Sequence, residues 1–322
     1  MPSQDDAQTR SHHPIFDRLV EQGRAQQPLP TAVVFPMSAV SLEGAAEAAR
    51  EGLIEPHLVG PKQRIAELAA VYNIDISRFT IVDADDDMDA ARKGVSLCRD
   101  GSCQALMKGS LHSDVFLQPV MSAETGLRTR RRISHAFVLD APTFQRTLIL
   151  TDAAINIYPT LEDKVDIVQN AIDLAHTLGL PEPRVAILSA VETVSPKIKS
   201  TIDAAALCKM ADRGQIVGGL LDGPLAFDDA MDPMAAQIKN ISSCVAGRAD
   251  VLVVPDLESG NMLAKQLAWQ GGAEAAGVVL GARVPMILTS RADSPKSRLA
   301  SAAVAVLMAR RRSQTPSEAV QS

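Results

Sequence analysis

Short apolar runs rich in β-branched residues alternate along the chain with longer segments in which apolar residues recur at helical spacing. The first run, residues 31–35, predicts a strand, and residues 41–51 predict a helix with Ser41 as its cap. This alternation is typical of a parallel sheet whose strands are joined by crossover helices. The pattern therefore predicts an α/β fold.

The same alternation continues along the chain in two blocks. In the first block it predicts strands at residues 57–59, 79–82, 105–108 and 136–139 and helices at residues 62–72, 88–99 and 114–121. In the second block it predicts strands at residues 147–151, 184–188, 216–221, 251–254, 276–280 and 285–288 and helices at residues 161–178, 196–211, 260–269 and 295–312. Residues 1–12 and 313–322 are rich in Ser, Gln, Thr and Pro, which predicts frayed ends.

Length and composition describe a globular chain of about two domains, with 322 residues of which 46% are hydrophobic and 22% charged. A formal net charge of −6 argues against nucleic acid or an anionic membrane as a partner. Aromatic residues make up 3%, too few for stacking on single strands or sugars. The chain shows neither a signal peptide nor an apolar run of about 20 residues, so we expect a cytoplasmic protein with reduced cysteines.

Several familiar site motifs are missing from the sequence. No GxGxxG follows the first strand and no GxxxxGK[ST] occurs, so a Rossmann dinucleotide site and a P-loop lack support. No GxSxG, HExxH or paired-histidine spacing occurs, and we expect no metal site. His112, His135 and His176 are isolated in sequence, which favours structural or surface roles.

The most informative stretch is residues 288–295, where an apolar strand runs into a helix that starts with Ser294 and Pro295. Backbone N–H groups at a helix start favour an anion. Arg291 can bind phosphate in a bidentate manner, Ser290 can donate to a developing anion, and Asp293 can accept a proton. Ordinary capping by the same residues is the alternative interpretation.

Polar residues also follow three other predicted strands. Asp152 and Asn156 could fix a polar ligand, although Asx turns would explain them equally well. Residues 221–228 and residues 255–261, which include Asn261, are weak turn signals when taken singly. If these four strand ends converge on one cleft, that cleft would bind a polar, extended ligand.

The strongest local positive charge lies at residues 128–132, four arginines in five positions of an acidic protein. A phosphate or pyrophosphate anchor there is one interpretation, and a solvated turn between a helix and a strand is the other. Lys108, directly after another predicted strand, has the same two interpretations.

Taken together, these stretches resemble the phosphate acetyl/butyryl transferase family. The resemblance extends from about residue 15 to residue 310 and rests on residues 106–109, 126–135, 152–159, 222–228, 255–261 and 289–294, in the order of the family. Thr-Ser-Arg-Ala-Asp-Ser at residues 289–294 is similar to butyryltransferase-type members, whereas the acetyl-specific branch usually has a Leu-Ser-Arg-Gly type of ending.

The resemblance implies a two-domain α/β fold like that of isocitrate and isopropylmalate dehydrogenases, with a cleft between the domains and a homodimer. Residues 1–145 and 285–322 would form the first domain, and residues 146–284 the second. The implied reaction converts acyl-CoA and inorganic phosphate into acyl phosphate and CoA, with short-chain acyl-CoA and phosphate as the partners. No metal or redox cofactor takes part in it.

The resemblance also implies roles for single residues. Arg291 would bind phosphate and Ser290 would stabilise the transition state, where charge builds on the carbonyl oxygen and the departing sulfur. Of the arginine cluster, Arg132 is favoured over Arg131 for a second phosphate contact. The remaining expected phosphate- or CoA-binding residues are Lys108, Asp152, Asn156 and Asn261.

One position departs from the family pattern. Acetyl-type members place a carboxylate seven residues after the serine as a general base, and that position holds Ser297 here. Asp293 is the nearest substitute, although it is itself part of the resembling motif and can serve only to cap the helix.

Other functions compete with a short-chain acyltransferase. A phosphate acyltransferase for longer chains would need a larger apolar channel, and a decarboxylating NAD-dependent dehydrogenase of similar fold would need aspartates arranged for a divalent metal. A CoA- or acyl-phosphate-binding regulatory protein without turnover is the non-enzymatic alternative, and Ser297 is the best argument for it.

Overall fold

A computed structural model describes residues 13–290 and 292–314. Its strands are β1 (Leu29–Val34), β2 (Ile54–Gly60), β3 (Thr80–Asp83), β4 (Ala105–Lys108), β5 (Ser134–Ala141), β6 (Phe144–Thr151), β7 (Arg184–Leu188), β8 (Leu220–Leu225), β9 (Val251–Val253), β10 (Glu274–Leu280) and β11 (Met286–Ile287). Its helices are α1 (Pro14–Arg24), α2 (Ala39–Arg50), α3 (Lys62–Tyr72), α4 (Asp87–Arg99), α5 (Ser113–Val120), α6 (Leu161–Thr177), α7 (Lys199–Asp212), α8 (Phe227–Met231), α9 (Pro233–Ile238), α10 (Leu257–Trp269) and α11 (Pro295–Gln314).

The strands form one sheet in the order β3-β2-β1-β4-β11-β10-β5-β6-β9-β7-β8. The α/β class is confirmed, but the expectation of a purely parallel sheet is wrong, because β10 pairs antiparallel with both β11 and β5, and β5 with β6. The cause is the length of the connections. Two residues join β5 to β6, and so short a link allows only an antiparallel hairpin.

Most predicted elements are present, and α3, β4 and β7 match the prediction at both ends. The predicted strand at 216–221 lies instead at Leu220–Leu225, and α1, α8 and α9 were not predicted. The cap of α2 is Ser38 rather than Ser41, since the Ser38 hydroxyl accepts a hydrogen bond from the Ser41 N–H and the helix begins two residues earlier than expected.

The expected frayed ends fall mostly outside the described residues. Ser313 and Gln314 belong to α11, which corrects that expectation for these two residues.

Helix α1 is held by a contact that lies far from it in sequence. The buried Asp140 carboxylate at the end of β5 accepts a hydrogen bond from the Phe16 N–H at 2.8 Å, and α1 packs along α11. Helix α1 was missed although its buried residues Ile15, Phe16, Leu19 and Val20 recur at helical spacing, so its local pattern could have predicted it.

Helices cover both faces of the sheet. One apolar cluster beneath α1, α2, α6, α7 and α11 runs along one face, while α4 and α5 cover one part of the other face and α8 to α10 a further part. The chain returns at its end to its beginning, because β11 pairs with β4 and α11 packs on α1. The division into residues 1–145 plus 285–322 and residues 146–284 stays a prediction.

Within the described part of the chain, no helix has both the length and the apolar character needed to cross a membrane. The same residues contain no cluster of three or more side chains suited to hold a metal ion.

Candidate active site

A cavity of about 670 Å³ opens where β4 and β11 end. Lys108 closes β4, Thr289 and Ser290 follow β11, and α5 and α10 supply two walls. The lining residues are Lys108, Leu111, His112, Ser113, Phe137, Ala154, Asn261, Ala264, Lys265, Ala268, Trp269, Ala273, Glu274, Ala275, Leu288, Thr289, Ser290, Ala292, Asp293, Ser294 and Ser297. Carboxyl ends of strands are where ligands bind in open α/β sheets, so this edge is the expected place for a site.

The turn after β11 presents Ser290 at the surface of this cavity. The Ser290 N–H donates to Asp293 Oδ2 at 2.6 Å, and the Ser290 hydroxyl accepts from the Ala292 N–H at 3.3 Å. Arg291 lies outside the described residues. The turn therefore leaves the Ser290 O–H as a donor that can point at a ligand.

The start of α11 is capped as expected, because Ser294 Oγ accepts from the Ser297 N–H at 3.0 Å. The same hydroxyl and that of Ser297 both donate to Glu274 Oε2, each at 2.5 Å. Glu274 begins β10, and the sequence analysis missed it. The position where a carboxylate was expected thus holds a serine that binds a carboxylate from another strand.

Burial raises the pKa of Asp293, and the neighbouring Glu274 adds to this effect. Hydrogen bonding from Ser290 and the positive charges of Arg298 and Lys108 act in the opposite direction. Two carboxylates therefore face the cavity in different surroundings. Paired acidic groups of this kind are typical of sites that move protons.

Positive potential at the opposite wall comes from Lys108 and the start of α5. The Lys108 ammonium donates to the Leu111 carbonyl at 3.0 Å, which holds it beside the cavity. His112 makes no side-chain cap to α5, and Ser113, the first residue of the helix, lines the cavity. A helix N-terminus next to a lysine favours an anionic group of a ligand.

Asp152 and Asn156 lie behind the cavity wall and are buried. Asp152 accepts from the N–H groups of Ala154, Ile155 and Asn156 and from the Asn156 side-chain amide. These bonds fix the loop whose Ala154 lines the cavity. The contacts show loop organisation, and a direct part in ligand binding stays a prediction for both residues.

Arg132 and Arg131 point in different directions. Arg132 Nε donates to Asn156 Oδ1 at 2.8 Å, and its Nη1 lies 3.3 Å from Asp163 Oδ1. Arg131 forms an ion pair with Asp173 on α6. Neither arginine lines the cavity, although Arg132 binds Asn156 in the loop that supplies Ala154 to its wall. A phosphate contact of Arg132 or Arg131 stays a prediction.

The polar strand ends do not meet in one cleft. Asn261, whose amide donates to the Ala153 carbonyl at 3.3 Å, lines the cavity together with residues 288–294. Tyr158 and Asp256 line a second cavity of about 630 Å³ beside α6 and α7. The amino end of α10 lies between the two spaces, and its packing on the 152–156 loop divides what the sequence suggested as a single cleft.

His135 lies beneath the cavity in the middle of the sheet. It is fully buried and its ring meets that of Phe137 edge-on, with the ring centroids 4.4 Å apart. Within residues 13–290 and 292–314, neither ring nitrogen has a hydrogen-bond partner. Burial lowers its pKa to about 4, partly opposed by the Asp152 charge. The expected structural role agrees with this burial.

The structure thus brings together Lys108, Asn261, Ser290 and Asp293 at one cavity. Glu274, Lys265 and His112 line it as well and were not predicted as site residues. Lys265 lies inside the predicted helix at residues 260–269, and Glu274 precedes the predicted strand at residues 276–280, so reasoning from the carboxyl ends of strands could not find them. His112 does follow a strand, β4, and this position is the one sequence signal that could have marked it as a site residue.

The chain is similar in sequence to proteins of known activity. Residues 86–306 match the family model described as "Phosphate acetyl/butaryl transferase". A phosphate acetyltransferase of Rhizobium meliloti is 60% identical over 297 residues, 92% of this chain and 94% of that protein. A phosphate butyryltransferase of Clostridium acetobutylicum is 38% identical over 294 residues, 91% of this chain and 98% of that protein.

Solved structures are similar to this chain in fold. A branched-chain phosphotransacylase from Enterococcus faecalis has a TM-score of 0.76 at 30% identity, over 87% of this chain and 99% of that one. A weaker likeness of fold alone, TM-score 0.51 at 14% identity, relates this chain to a 4-hydroxythreonine-4-phosphate dehydrogenase from Klebsiella pneumoniae, over 87% and 99% of the two chains.

Proposed function

The chain belongs to the phosphate acetyl/butyryl transferase family, and on that premise we propose that the cavity at the ends of β4 and β11 transfers a short acyl group between coenzyme A and inorganic phosphate. The observation that carries this proposal is the meeting of Ser290, Lys108 and the start of α5 around one space next to two carboxylates. These groups match the charges that the reaction creates.

In the reaction, a phosphate oxygen attacks the thioester carbonyl carbon, a C–O bond forms and the C–S bond breaks. Negative charge develops on the carbonyl oxygen and then on sulfur. The Ser290 hydroxyl donates to the carbonyl oxygen, and groups that are already oriented lower the barrier most. Lys108 and the N–H groups at the start of α5 hold the phosphate.

Arg291 and Arg132 complete the phosphate site in this proposal, as the family resemblance implies. Arg132 is pre-oriented by Asn156, which Asp152 holds in turn at 2.6 Å. In this way the buried pair of Asp152 and Asn156 acts on phosphate through Arg132. Asn261 and the apolar side chains of Phe137 and Leu288 border the space for the acyl group and the thioester.

Three further features belong to the same proposal. The conversion of a thioester to an acyl phosphate changes no oxidation state, so the chemistry requires no redox cofactor, and coenzyme A is a substrate. The two-domain arrangement of isocitrate and isopropylmalate dehydrogenases, with a cleft between the domains, is part of the proposal because the family resemblance implies it. We also place the protein in the cytoplasm, where acyl-CoA and phosphate are available, as a homodimer.

The test measures release of the CoA thiol from acetyl-, propionyl-, butyryl- and longer acyl-CoAs, with and without phosphate. We expect phosphate-dependent release that is fastest with one of the short chains. No release from any acyl-CoA, with CoA still binding, would overturn the enzymatic proposal and leave a regulatory protein. The comparisons give no support to that alternative.

Ser290→Ala sharpens this test. Loss of one donor to the carbonyl oxygen lowers kcat by about 10²- to 10³-fold in comparable sites. Ser122→Ala is the matched control, because the Ser122 hydroxyl accepts a similar turn bond from the Thr125 N–H and does not line the cavity. Equal activity of the two variants would contradict the role given to Ser290.

A further inference from the structure

We propose that Glu274 is the proton carrier of the acyl transfer, a role that rests on the function proposed above. The proton to be carried is the one that leaves the CoA thiol when acyl-CoA is formed. A thiolate is the nucleophile in such reactions, and an alkyl thiol is mostly protonated near neutral pH, as free cysteine with its pKa of about 8.5 illustrates, so a nearby base speeds the attack.

Glu274 reaches the cavity from the first position of β10. Its Oε2 atom accepts both hydroxyl bonds from α11, Ser294 and Ser297, at 2.5 Å each. The described residues make no hydrogen bond to its Oε1 atom, and the side chain lines the cavity with Ser290 and Lys108. Oε2 is therefore anchored by two hydroxyl groups, which leaves Oε1 as the oxygen that can exchange a proton with a bound substrate.

The contact with Ser297 shows that the Glu274 carboxylate fills the space beside position 297. Since Ser297 Oγ lies 2.5 Å from Glu274 Oε2, a carboxylate at position 297 would occupy the space that Glu274 fills. Both cannot be present as charged groups without repulsion. The small hydroxyl at 297 instead donates to the carboxylate of the neighbouring strand.

Asp293 is less suited to carry the proton. Its Oδ2 atom accepts the Ser290 N–H at 2.6 Å and thereby holds the turn that presents the Ser290 hydroxyl. Protonation of Asp293 would weaken the bond that shapes this turn. The two bonds to Glu274 come from hydroxyl groups, which can rotate when the carboxylate gains a proton.

The proton balance closes over one turnover. In the direction of acyl-CoA, the thiol S–H bond breaks and Glu274 takes the proton. The thiolate then bonds to the acyl carbon and the C–O bond to phosphate breaks. The departing phosphate takes the proton from Glu274. Toward acyl phosphate, Glu274 moves the proton from hydrogen phosphate to the departing thiolate. Glu274 returns to its carboxylate form in both directions.

Glu274→Gln is the first test, because an amide oxygen still accepts both serine hydroxyl bonds but cannot take a proton. We expect kcat to fall by about 10²- to 10⁴-fold in both directions, with KM for CoA changed much less and the acidic limb of the kcat–pH profile lost. Glu258→Gln is the matched control, since Glu258 accepts from the Tyr158 hydroxyl and lies outside this cavity.

A second variant moves the carboxylate back to α11. Glu274→Ser combined with Ser297→Glu exchanges the two groups across their 2.5 Å contact, and we expect it to be at least about tenfold more active than Glu274→Gln. The Tm of each variant is measured alongside to confirm folding.

The outcomes separate this proposal from the function on which it rests. Wild-type turnover with loss of activity in Ser290→Ala but not in Glu274→Gln would overturn the role of Glu274 alone. A Glu274→Gln variant that loses activity while its pH profile keeps the wild-type shape would also overturn it. Absence of phosphate-dependent CoA release in the wild type would overturn the function itself.

Discussion

His135 illustrates how a single side chain can tie stability to pH. It lies 0% exposed beneath the cavity, with no partner for either ring nitrogen among the described residues. The sheet holds it because β5 pairs with β10 at Val279, and the ring extends over Gly277, where a Cβ would come within 3.2 Å of Nε2. A charged imidazole would be compensated only in part, by the charge of Asp152.

We predict that the protein loses stability in mild acid because of this residue. Burial lowers the pKa of folded His135 to about 4, whereas an unfolded histidine titrates near 6.5. The unfolded state therefore takes up the proton first as the pH falls between these values. The free energy of unfolding should decrease by about 3 kcal/mol over that range through His135 alone.

Urea unfolding at several pH values between 7 and 4 measures this effect. His135→Phe removes the titrating group and keeps a ring, so the slope of the unfolding free energy against pH should become shallower. A His57→Phe variant controls for loss of a half-buried histidine on another strand of the sheet. Identical slopes for wild type and His135→Phe would refute the prediction.

The sequence could predict those site residues that follow directly after a strand. Lys108, Ser290 and Asp293 line the cavity because the carboxyl ends of β4 and β11 are adjacent, and the order of polar residues after apolar runs shows this much. Glu274 was not predictable. It reaches Ser294 across 20 positions of sequence through the packing of α11 on β10, which no local pattern records.

Among the elements, helices α6 and α7 are joined by a buried ion pair. Lys164 on α6 is 4% exposed and its ammonium lies 2.8 Å from Asp203 Oδ2 on α7. Lys199, one turn earlier on α7, binds the same carboxylate from the surface at 2.6 Å. Burial would raise the pKa of Asp203, but the hydrogen bonds from both lysines lower it below its ordinary value.

We predict that the two lysines contribute very differently. Asp203→Ala leaves the Lys164 ammonium buried without its carboxylate and should reduce the free energy of unfolding by about 3 kcal/mol. Lys199→Ala removes a solvent-exposed partner and should cost less than about 1 kcal/mol. Because the folded pKa of Asp203 is lowered, its stabilising effect is present above the ordinary carboxylate pKa and is lost as the pH falls below it.

Chemical denaturation at pH 7 and near pH 3 checks both statements. Wild type and Asp203→Ala should converge in stability at the lower pH. If Asp203→Ala and Lys199→Ala reduced the free energy of unfolding equally at pH 7, the buried contact between Lys164 and Asp203 would contribute no more than the exposed one.

Elements whose signal is local were predicted well, and those set by distant partners were not. Helix α3 matched at both ends, since its buried residues Ile65 and Ala69 lie four positions apart and Asn73, in the left-handed region, ends it. The antiparallel pairing of β10 with β5 joins residues more than a hundred positions apart, so periodicity could not distinguish it from a parallel arrangement. The two short helices α8 and α9 contain 5 and 6 residues, fewer than two turns, which is too little for a helical pattern.

On the scale of the whole molecule, the sheet explains why the site takes residues from distant parts of the chain. Strand β11 pairs with β4 on one side and β10 on the other, so residues 105–113 and residues 274–297 meet along one edge. Helix α10 adds Asn261 and Lys265 from the other part of the sheet. A ligand in the cavity therefore lies over the middle of the sheet order, next to β4, β11 and β10.

The surface beside this cavity carries an exposed apolar stripe. Met262 and Trp269 lie seven residues apart on one face of α10 and are 65% and 81% exposed, and Ile157, whose carbonyl accepts from the first N–H of α10, is 59% exposed. Exposed apolar groups that lie together on one element mark contact surfaces. We expect the proposed homodimer to form through this apolar surface.

We predict that the protein in solution has twice the chain mass of 34.2 kDa and that Met262 and Ile157 lie in the contact. Met262→Arg combined with Ile157→Arg should shift the species toward the monomer, because two buried guanidinium groups per subunit would meet without partners. Met234→Arg is the control, since Met234 is also 60% exposed but lies on another helix, α9. Light scattering across a concentration series measures the mass in solution. A wild-type protein that is monomeric at every concentration would contradict the prediction, and so would dissociation caused by Met234→Arg alone.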